Sequence, residues 1–250
     1  MKPQILKTSA LTKSFPGSNS AAPVINNLDT HFFKGEFTVI MGNSGSGKST
    51  LLYLLSGLDK ATSGKIWIDD FPVHNRTEKE LALMRRQKVG FVFQDSNLVP
   101  NLTVKENILV AGRLVSKNSN QLNKRVDELL NDLGILPLAN RMPGQLSGGE
   151  AQRCAMARAL INDPVVIFAD EPTGSLNSEA SLKVMDCLDT IHSKGQSIVM
   201  VTHDLKSATY GDRILFFRDG QIVDERLRLG ERGCAAEEEA LFTWLKQKGW

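Results

Sequence analysis

The residues Gly42-Asn43-Ser44-Gly45-Ser46-Gly47-Lys48-Ser49-Thr50 match the pattern G-x-x-x-x-G-K-[ST]. Glycines at these positions let backbone N–H groups curl around phosphate oxygens without Cβ clashes. A helix starting at the end of the loop adds partial positive charge. Lys48 has the reach for β- and γ-phosphates, and the Ser49 hydroxyl suits Mg²⁺. The pattern implies a nucleoside triphosphate and leaves its use open. A second chemical element is the apolar run Val165-Val166-Ile167-Phe168-Ala169, which delivers Asp170 and Glu171. Asp170 suits direct or water-mediated support of Mg²⁺, and Glu171 suits a general base for an attacking water. Without a phosphate loop, this run would equally be a strand ending in solvated acids. A third is Leu146-Ser147-Gly148-Gly149-Glu150, which reads either as a helix start open to an anion or as a plain N-cap.

The elements around these residues alternate. Strands are expected over 5–9, 24–32 and 37–41, punctuated by Pro16-Gly17 and Gly35. A helix follows from Lys48 to about Leu58, then a strand over 65–69. Thr77 with Glu80 has capping-box spacing ahead of a helix over 78–86, and a strand over 89–93 ends at Gln94. From Thr103 to Leu133 the pattern is helical, with Val104, Ile108, Ala111 and Val115 on one face and Leu122, Val126, Leu129, Leu130 and Leu133 on a second. After Ser147-Gly148-Gly149 a helix restarts; a strand over 165–169, a helix over 178–192 and a strand over 197–201 follow. Residues 214–217 and 221–223 read as a hairpin around Asp219-Gly220. This predicts one α/β domain over 1–250: a core with a β-subdomain over 1–94 and 145–225, an inserted helical subdomain over 95–144, and a tail helix over 226–250.

Composition narrows the function class. Thirty Lys+Arg against 28 Asp+Glu leave a net charge of +2, far from the basicity of a surface built for nucleic acid. The Arg85-Arg86-Gln87-Lys88 cluster reads as a solvated helix face. Cys154, Cys187 and Cys234 lack the number and spacing of a disulfide framework or zinc site. No run of about 18 apolar residues exists and the start has no apolar leader core, so a cytoplasmic chain is expected.

The chain resembles the nucleotide-binding subunit of an ATP-binding cassette (ABC) transporter. The resemblance covers nearly the whole chain and rests on motifs in the family's order. These are the phosphate loop, the Q-loop glutamine Gln94, the signature Leu146-Ser147-Gly148-Gly149-Glu150, Asp170-Glu171, the D-loop Ser175-Leu176-Asn177, and His203 in Val201-Thr202-His203-Asp204. The resemblance implies a P-loop NTPase fold with a RecA-like core, an N-terminal antiparallel β-subdomain and an inserted helical subdomain. It implies ATP and Mg²⁺, with Ser49, Gln94 and Asp170 serving the metal and Glu171, His203, Lys48 and Gln94 serving hydrolysis. It implies a second ATPase subunit, identical in a homodimer, packed head to tail. Ser147, Gly148, Gly149 and Glu150 would then contact the partner's ATP, and the D-loop would cross the interface. A permease would dock near Asp95 to Thr103 and hold the protein on the inner membrane face.

Two positions depart from the family pattern. The adenine-stacking aromatic, often tyrosine, is Phe15, for which a core position is the alternative; the D-loop ends in Asn177 where aspartate is usual. Gly90-Phe91-Val92-Phe93-Gln94, Glu171-Pro172-Thr173-Gly174 and Asp212-Arg213-Ile214 resemble the subgroup of lipoprotein-release, macrolide-export and bacitracin-type antimicrobial-peptide ATPases. The stretch Ala208-Thr209-Tyr210-Gly211-Asp212-Arg213 leans toward the antimicrobial-peptide branch. A signalling module without net transport is the rival reading, kept open by Asn177. The tail carries Cys234, Leu241, Trp244, Leu245 and Lys248 on one helical face, for packing on its own domain or for a partner.

Overall fold

The computed structural model describes residues 3–15 and 22–250. In chain order it contains β1 (Gln4–Lys13), β2 (Ile25–Phe33), β3 (Phe37–Met41), α1 (Lys48–Leu55), β4 (Ser63–Ile68), β5 (Phe71–Pro72), α2 (Glu78–Lys88) and β6 (Val89–Val92). There follow α3 (Val104–Arg113), α4 (Ser119–Asp132), α5 (Gly148–Leu160), β7 (Val166–Asp170), α6 (Ser178–Ser193), β8 (Ser197–Val201), α7 (Leu205–Ala208), β9 (Arg213–Arg218), β10 (Gln221–Leu227) and α8 (Ala235–Gln247).

Two sheets organise these elements. An antiparallel sheet runs β2-β1-β4-β5, and a six-stranded sheet runs β10-β9-β3-β8-β7-β6. In the second sheet only the β9–β10 pair is antiparallel. All residues of β3, β7 and β8 are buried, as expected of parallel strands covered on both faces. One apolar cluster joins β3, β7 and β8 to α3, α4, α5, α6 and α8. The other joins the antiparallel sheet to α1 and the opposite face of the parallel sheet. The expected fold class, an α/β core with a separate antiparallel sheet, is the one observed.

Local signals placed most elements within a few residues. Thr77 and Glu80 form the expected capping box on α2. The β9–β10 turn is at Asp219-Gly220, both at positive φ (50° and 78°), the primed geometry that suits a twisted hairpin. The tail helix packs on its own domain, with Leu241 and Leu245 fully buried.

Three readings need correction. The helical stretch over 103–133 is two helices. The polar run Ser116-Lys117-Asn118 offers no apolar face to bury; Asn118 instead caps α4, accepting from the Gln121 N–H at 3.2 Å, and Val115 is left 45% exposed. Helix α1 stops at Leu55, three residues early, because Gly57 turns left-handed (φ 72°) under Met84 and Val73. The basic cluster is partly tied down: Arg85 donates to the Gly57 carbonyl at 2.7 Å and pairs with Glu78, and Lys88 pairs with Asp69 at 2.5 Å. All three cysteines are free, with Cys154 buried and its thiol pushed up to about 12 by desolvation. The turn expected at Pro16-Gly17 lies outside the described residues.

Candidate functional site

The chemistry-bearing residues leave the C-terminal ends of parallel strands. The phosphate loop follows β3, Gln94 follows β6, Asp170 ends β7 and His203 follows β8. Register pairs Ile40 and Asp170 with Val201, and Val92 with Ala169, so these ends lie along one rim of the sheet. Such rims are where open α/β sheets bind ligands.

The loop from Gly42 to Gly47 folds as its glycines dictate. A Cβ on Gly42 would lie 2.0 Å from the Phe217 carbonyl oxygen, so β9 closes that side to any larger residue. Gly47 is the N-cap of α1 at φ 101°, and no side chain caps the helix. Among the described residues this is exceptional: Thr77, Thr103, Asn118, Ser147, Asn177, Asp204 and Cys234 cap the seven other α-helices. The first N–H groups of α1 therefore face the loop, available to an anion. The Ser46 hydroxyl is buried there and, among the described residues, has no hydrogen-bond partner.

Lys48 is only 6% exposed and donates to the carbonyls of Gly42 (2.8 Å) and Asn43 (2.9 Å). Burial pushes its ammonium below the ordinary lysine value; the charges of Glu171 and Asp170 act the other way. Those two carboxylates keep a cation in a desolvated place. The Ser49 hydroxyl donates to Asp170 Oδ1 at 2.8 Å, bringing together two of the expected metal-serving oxygens from residues 121 apart in the chain. A hydroxyl and a carboxylate side by side, below an uncapped helix start, fit a hard, oxygen-loving cation such as Mg²⁺. Tyr53, one helical turn beyond Ser49, was not anticipated: it faces Asp170, and burial, then that carboxylate, pushes its phenol up to about 12. Its i+4 spacing from Ser49 was a signal in the sequence, but only the fold aims it at Asp170.

Glu171 sits in the left-handed region (φ 47°), its N–H donating to the Val201 carbonyl at 2.9 Å. A non-glycine residue pays strain there, which the surrounding strand ends must hold in place. The turn brings Glu171 Oε2 to 2.8 Å from His203 Nδ1, with the carboxylate mostly covered and the imidazole 63% exposed. Gln94 reaches the same place: a Cβ on Gly174 would lie 3.2 Å from Gln94 Nε2 and 3.3 Å from Glu171 Oε2.

Supporting residues hold Gln94 and the segment after it. Gln152 donates to the Phe93 carbonyl at 2.7 Å, and Ser175 donates to the Gln94 carbonyl at 3.4 Å. Arg158 donates to the carbonyls of Asn97 (2.6 Å) and Ser96 (2.8 Å). Asn107 is buried and brackets Val99, accepting from its N–H at 2.8 Å and donating to its carbonyl at 3.1 Å. Sequence reasoning missed Gln152 and Arg158, because side-chain bonds to carbonyls about sixty residues away leave no periodic mark, and Asn107, whose bonds to Val99, Leu102 and Thr103 go to an irregular loop.

A cleft of about 850 Å³ gathers Phe15, Val24, Gly42, Asn43, Ser44, Gly45, Gly47, Lys48, Ser49, Thr50, Glu171 and His203, with Trp250 as an unexpected member. Phe15 is 44% exposed at its wall, so the alternative of a core position is not the one observed; Lys13 Nζ lies 4.7 Å from its ring centroid. Ser147, Gly148, Gly149 and Glu150 do not line this cleft. Ser147 caps α5 in a closed box: its hydroxyl accepts from the Glu150 N–H at 3.4 Å, and Glu150 Oε2 accepts from the Ser147 N–H and hydroxyl at 2.8 Å each. Gly148 and Gly149 pack against the D-loop side, where a Cβ would meet Leu176 at 2.8 Å and Ala180 at 3.2 Å. Asn177 caps α6, accepting from the Ala180 N–H at 2.9 Å.

Residues 25–174 match the family model described as ABC transporter. The chain is 45% identical over 206 residues to the lipoprotein-releasing system ATP-binding protein LolD of Aquifex aeolicus, covering 82% of this chain and 92% of that protein. It is 41% identical over 222 residues to the bacitracin export ATP-binding protein BceA of Halalkalibacterium halodurans, covering 88% of each. Among solved structures it superposes with TM-score 0.81 and 38% identity on the cassette MJ0796, covering 90% of this chain and all of that one. That structure is a dimer in a post-hydrolysis state bound to ADP and Pi. The chain belongs to the ATP-binding cassette family of ABC transporters and is an ATPase of that kind.

Proposed function

We propose that this ATPase is the motor subunit of a membrane complex, closing as a homodimer around two Mg-ATP and opening after hydrolysis. The observation that carries the reading is the facing of two halves across one cleft. On one side stand the uncapped α1 terminus and buried Lys48; on the other stands the Glu171–His203 pair at 2.8 Å. The N–H groups of the loop and Lys48 hold the β- and γ-phosphates. Glu171 takes the proton of the attacking water as its oxygen bonds to the γ-phosphorus and ADP departs. His203 orients Glu171 and donates to a γ-phosphate oxygen. Ser49, Asp170 and Gln94 would hold Mg²⁺, which when bound neutralises charge developing on the phosphates.

Ser147, Gly148, Gly149 and Glu150 approach the partner's nucleotide, and Ser175, Leu176 and Asn177 lie along the joint between the two sites. Loss of the γ-phosphate removes contacts that only the closed dimer makes, and so loosens it. The segment from Asp95 to Thr103, held by Arg158 and Asn107 with Val99 at its surface, is the permease-docking surface. Among the described residues no helix is long and apolar enough to cross a membrane, so the permease supplies the attachment to its inner face. The names of the relatives, a lipoprotein-releasing system and a bacitracin exporter, support antimicrobial peptides or lipoprotein-like cargo. The rival signalling reading drew on Asn177; asparagine caps α6 as aspartate would, so no observation favours it.

The test is Glu171→Gln. Steady-state phosphate release should fall at least about 100-fold, while ATP binding survives and light scattering shows a trapped dimer. Undiminished release would remove Glu171 from the mechanism. Recovery of the trapped dimer from detergent-solubilised membranes with a few-helix permease supports the subgroup, and recovery with a larger permease discards it.

A further inference from the structure

Beside the His203 imidazole, two large aromatic side chains line the nucleotide cleft, and they come from opposite ends of the sequence. Phe15 enters after β1, and Trp250 enters after α8. The position of Trp250 is built rather than incidental. Helix α8 is anchored by Leu241 and Leu245 in the core beside Phe216. Its end is closed by a Schellman pair: the Trp250 N–H donates to the Leu245 carbonyl and the Gly249 N–H to the Lys246 carbonyl, each at 3.2 Å. That turn needs Gly249, at φ 83°.

Two further bonds hold the helix end to the β9–β10 hairpin. Arg218 donates to the Lys248 carbonyl at 2.8 Å, and Lys248 pairs with Asp224 at 2.6 Å. The Phe242 ring braces the indole edge-to-face, with centroids 6.3 Å apart. The same hairpin reaches the Phe15 side of the cleft. Its tip packs on β2, where the Asn26 N–H donates to the Gly220 carbonyl at 3.0 Å, and Val24 beside it lines the cleft. The Val24 N–H in turn donates to the Lys13 carbonyl at 2.8 Å, two residues from Phe15. Phe15 and Trp250 thus flank one junction of the hairpin with β2.

We propose that Trp250 is a second nucleobase-binding residue, its indole joining Phe15 to wall the base end of the cleft. The inference rests on the nucleotide reading of this cleft. Loop N–H groups and Lys48 bind phosphate and are blind to the base. Aromatic faces add affinity only where the ligand presents a π surface, so the two contributions separate by ligand. The other two tryptophans stand apart from the cleft lining: Trp67 packs on His74 and Lys7, and Trp244 on Phe216. A nucleotide-dependent change in tryptophan emission therefore reports on Trp250.

The experiment titrates the 250-residue chain with Mg-ATP and with inorganic tripolyphosphate, by calorimetry and by tryptophan emission. ATP should quench the emission, and Trp250→Phe should remove the quench while keeping most of the ATP affinity. Trp250→Ala should weaken ATP about 5–10-fold and change tripolyphosphate by less than about twofold. Equal loss for both ligands, or loss for neither, overturns the proposal. Lys48→Ala provides the separation. If it weakens both ligands while Trp250→Ala changes neither, Trp250 alone falls. If the wild-type chain binds neither ligand, the nucleotide reading falls and takes Trp250 with it.

Discussion

Helices α1 and α5 both start at a glycine-rich turn, yet their N-termini are in opposite chemical states. Among the described residues, the α1 terminus has glycine at its cap, no side-chain cap bond, a buried lysine and a buried serine hydroxyl without a hydrogen-bond partner. The α5 terminus is closed on itself by Ser147 and Glu150. One is ready for an anion; the other must exchange internal bonds before its serine can serve a nucleotide outside its own chain. A capping interaction contributes about 1 kcal/mol, small beside the charge-assisted bonds a phosphate offers. The contrast teaches that one glycine-rich helix start is left open to an anion, while the other, which the proposed dimer would turn toward a partner, has its bonds satisfied within its own chain.

The sharpest way to break that contrast is at Lys48. Lys48→Ala should lower ATP affinity about 100-fold by calorimetry, since it removes a buried charge-assisted partner of the phosphates. It should leave the α5 cap untouched. Wild-type affinity would mean that the open α1 terminus is not the phosphate site. Next is Ser147→Arg, which puts bulk and charge on the α5 terminus. ATP-dependent dimers seen by light scattering should disappear, while ATP binding to the monomer stays within about twofold. Persistence of the dimer would sink the role of α5 across the interface.

Smaller effects test the cap itself. Ser147→Ala should cost about 1 kcal/mol in denaturant unfolding. Glu150 is held below the ordinary carboxylate value of 4.5, chiefly by the bond from the Ser147 N–H and then by its hydroxyl. A depressed folded value means that its contribution is present above the unfolded value and is lost as pH falls through the folded one. The stability gap between wild type and Glu150→Gln should be widest at neutral pH and shrink below pH 4.5. A gap that widens on acidification would rule the capping bond out as its cause. Smallest of all, Asn177→Asp should change stability by less than about 0.5 kcal/mol, because both residues cap equally well. A large change in ATP turnover from that substitution would show that the D-loop charge matters for reasons beyond the cap.

Ser147 also shows how two readings of one motif coexist. The plain N-cap is what the structure holds, and that same cap places the serine at an exposed helix start where a partner's phosphate could displace the Glu150 carboxylate. Asn177 is parallel, since its departure from the family leaves the local hydrogen bond intact. In the helical stretch after Gln94 the pattern marks the buried faces apart from Val115, which is exposed, but not the break between two helices. Its break is a polar linker whose only signature is Asn118, a residue that caps as readily as it sits in a loop.

What the amino-acid order determined by itself was everything set within a few residues. The glycines of the phosphate loop, the capping boxes at Thr77 and Ser147, the Asp219-Gly220 turn and the apolar strands belong here, because backbone sterics and i-to-i+3 bonds act at that range. The pairing of Ser49 with Asp170, the aim of Tyr53, the bracing of the Gln94 segment by Gln152, Arg158 and Asn107, and the arrival of Trp250 beside the cleft of Phe15 belong to the tertiary structure. Most of them join residues tens to hundreds of positions apart, and Asn107 alone reaches a near neighbour, eight residues back at Val99. Only the order of strands in the sheet and the packing of α8 over β9 decide which of those distant side chains share a wall.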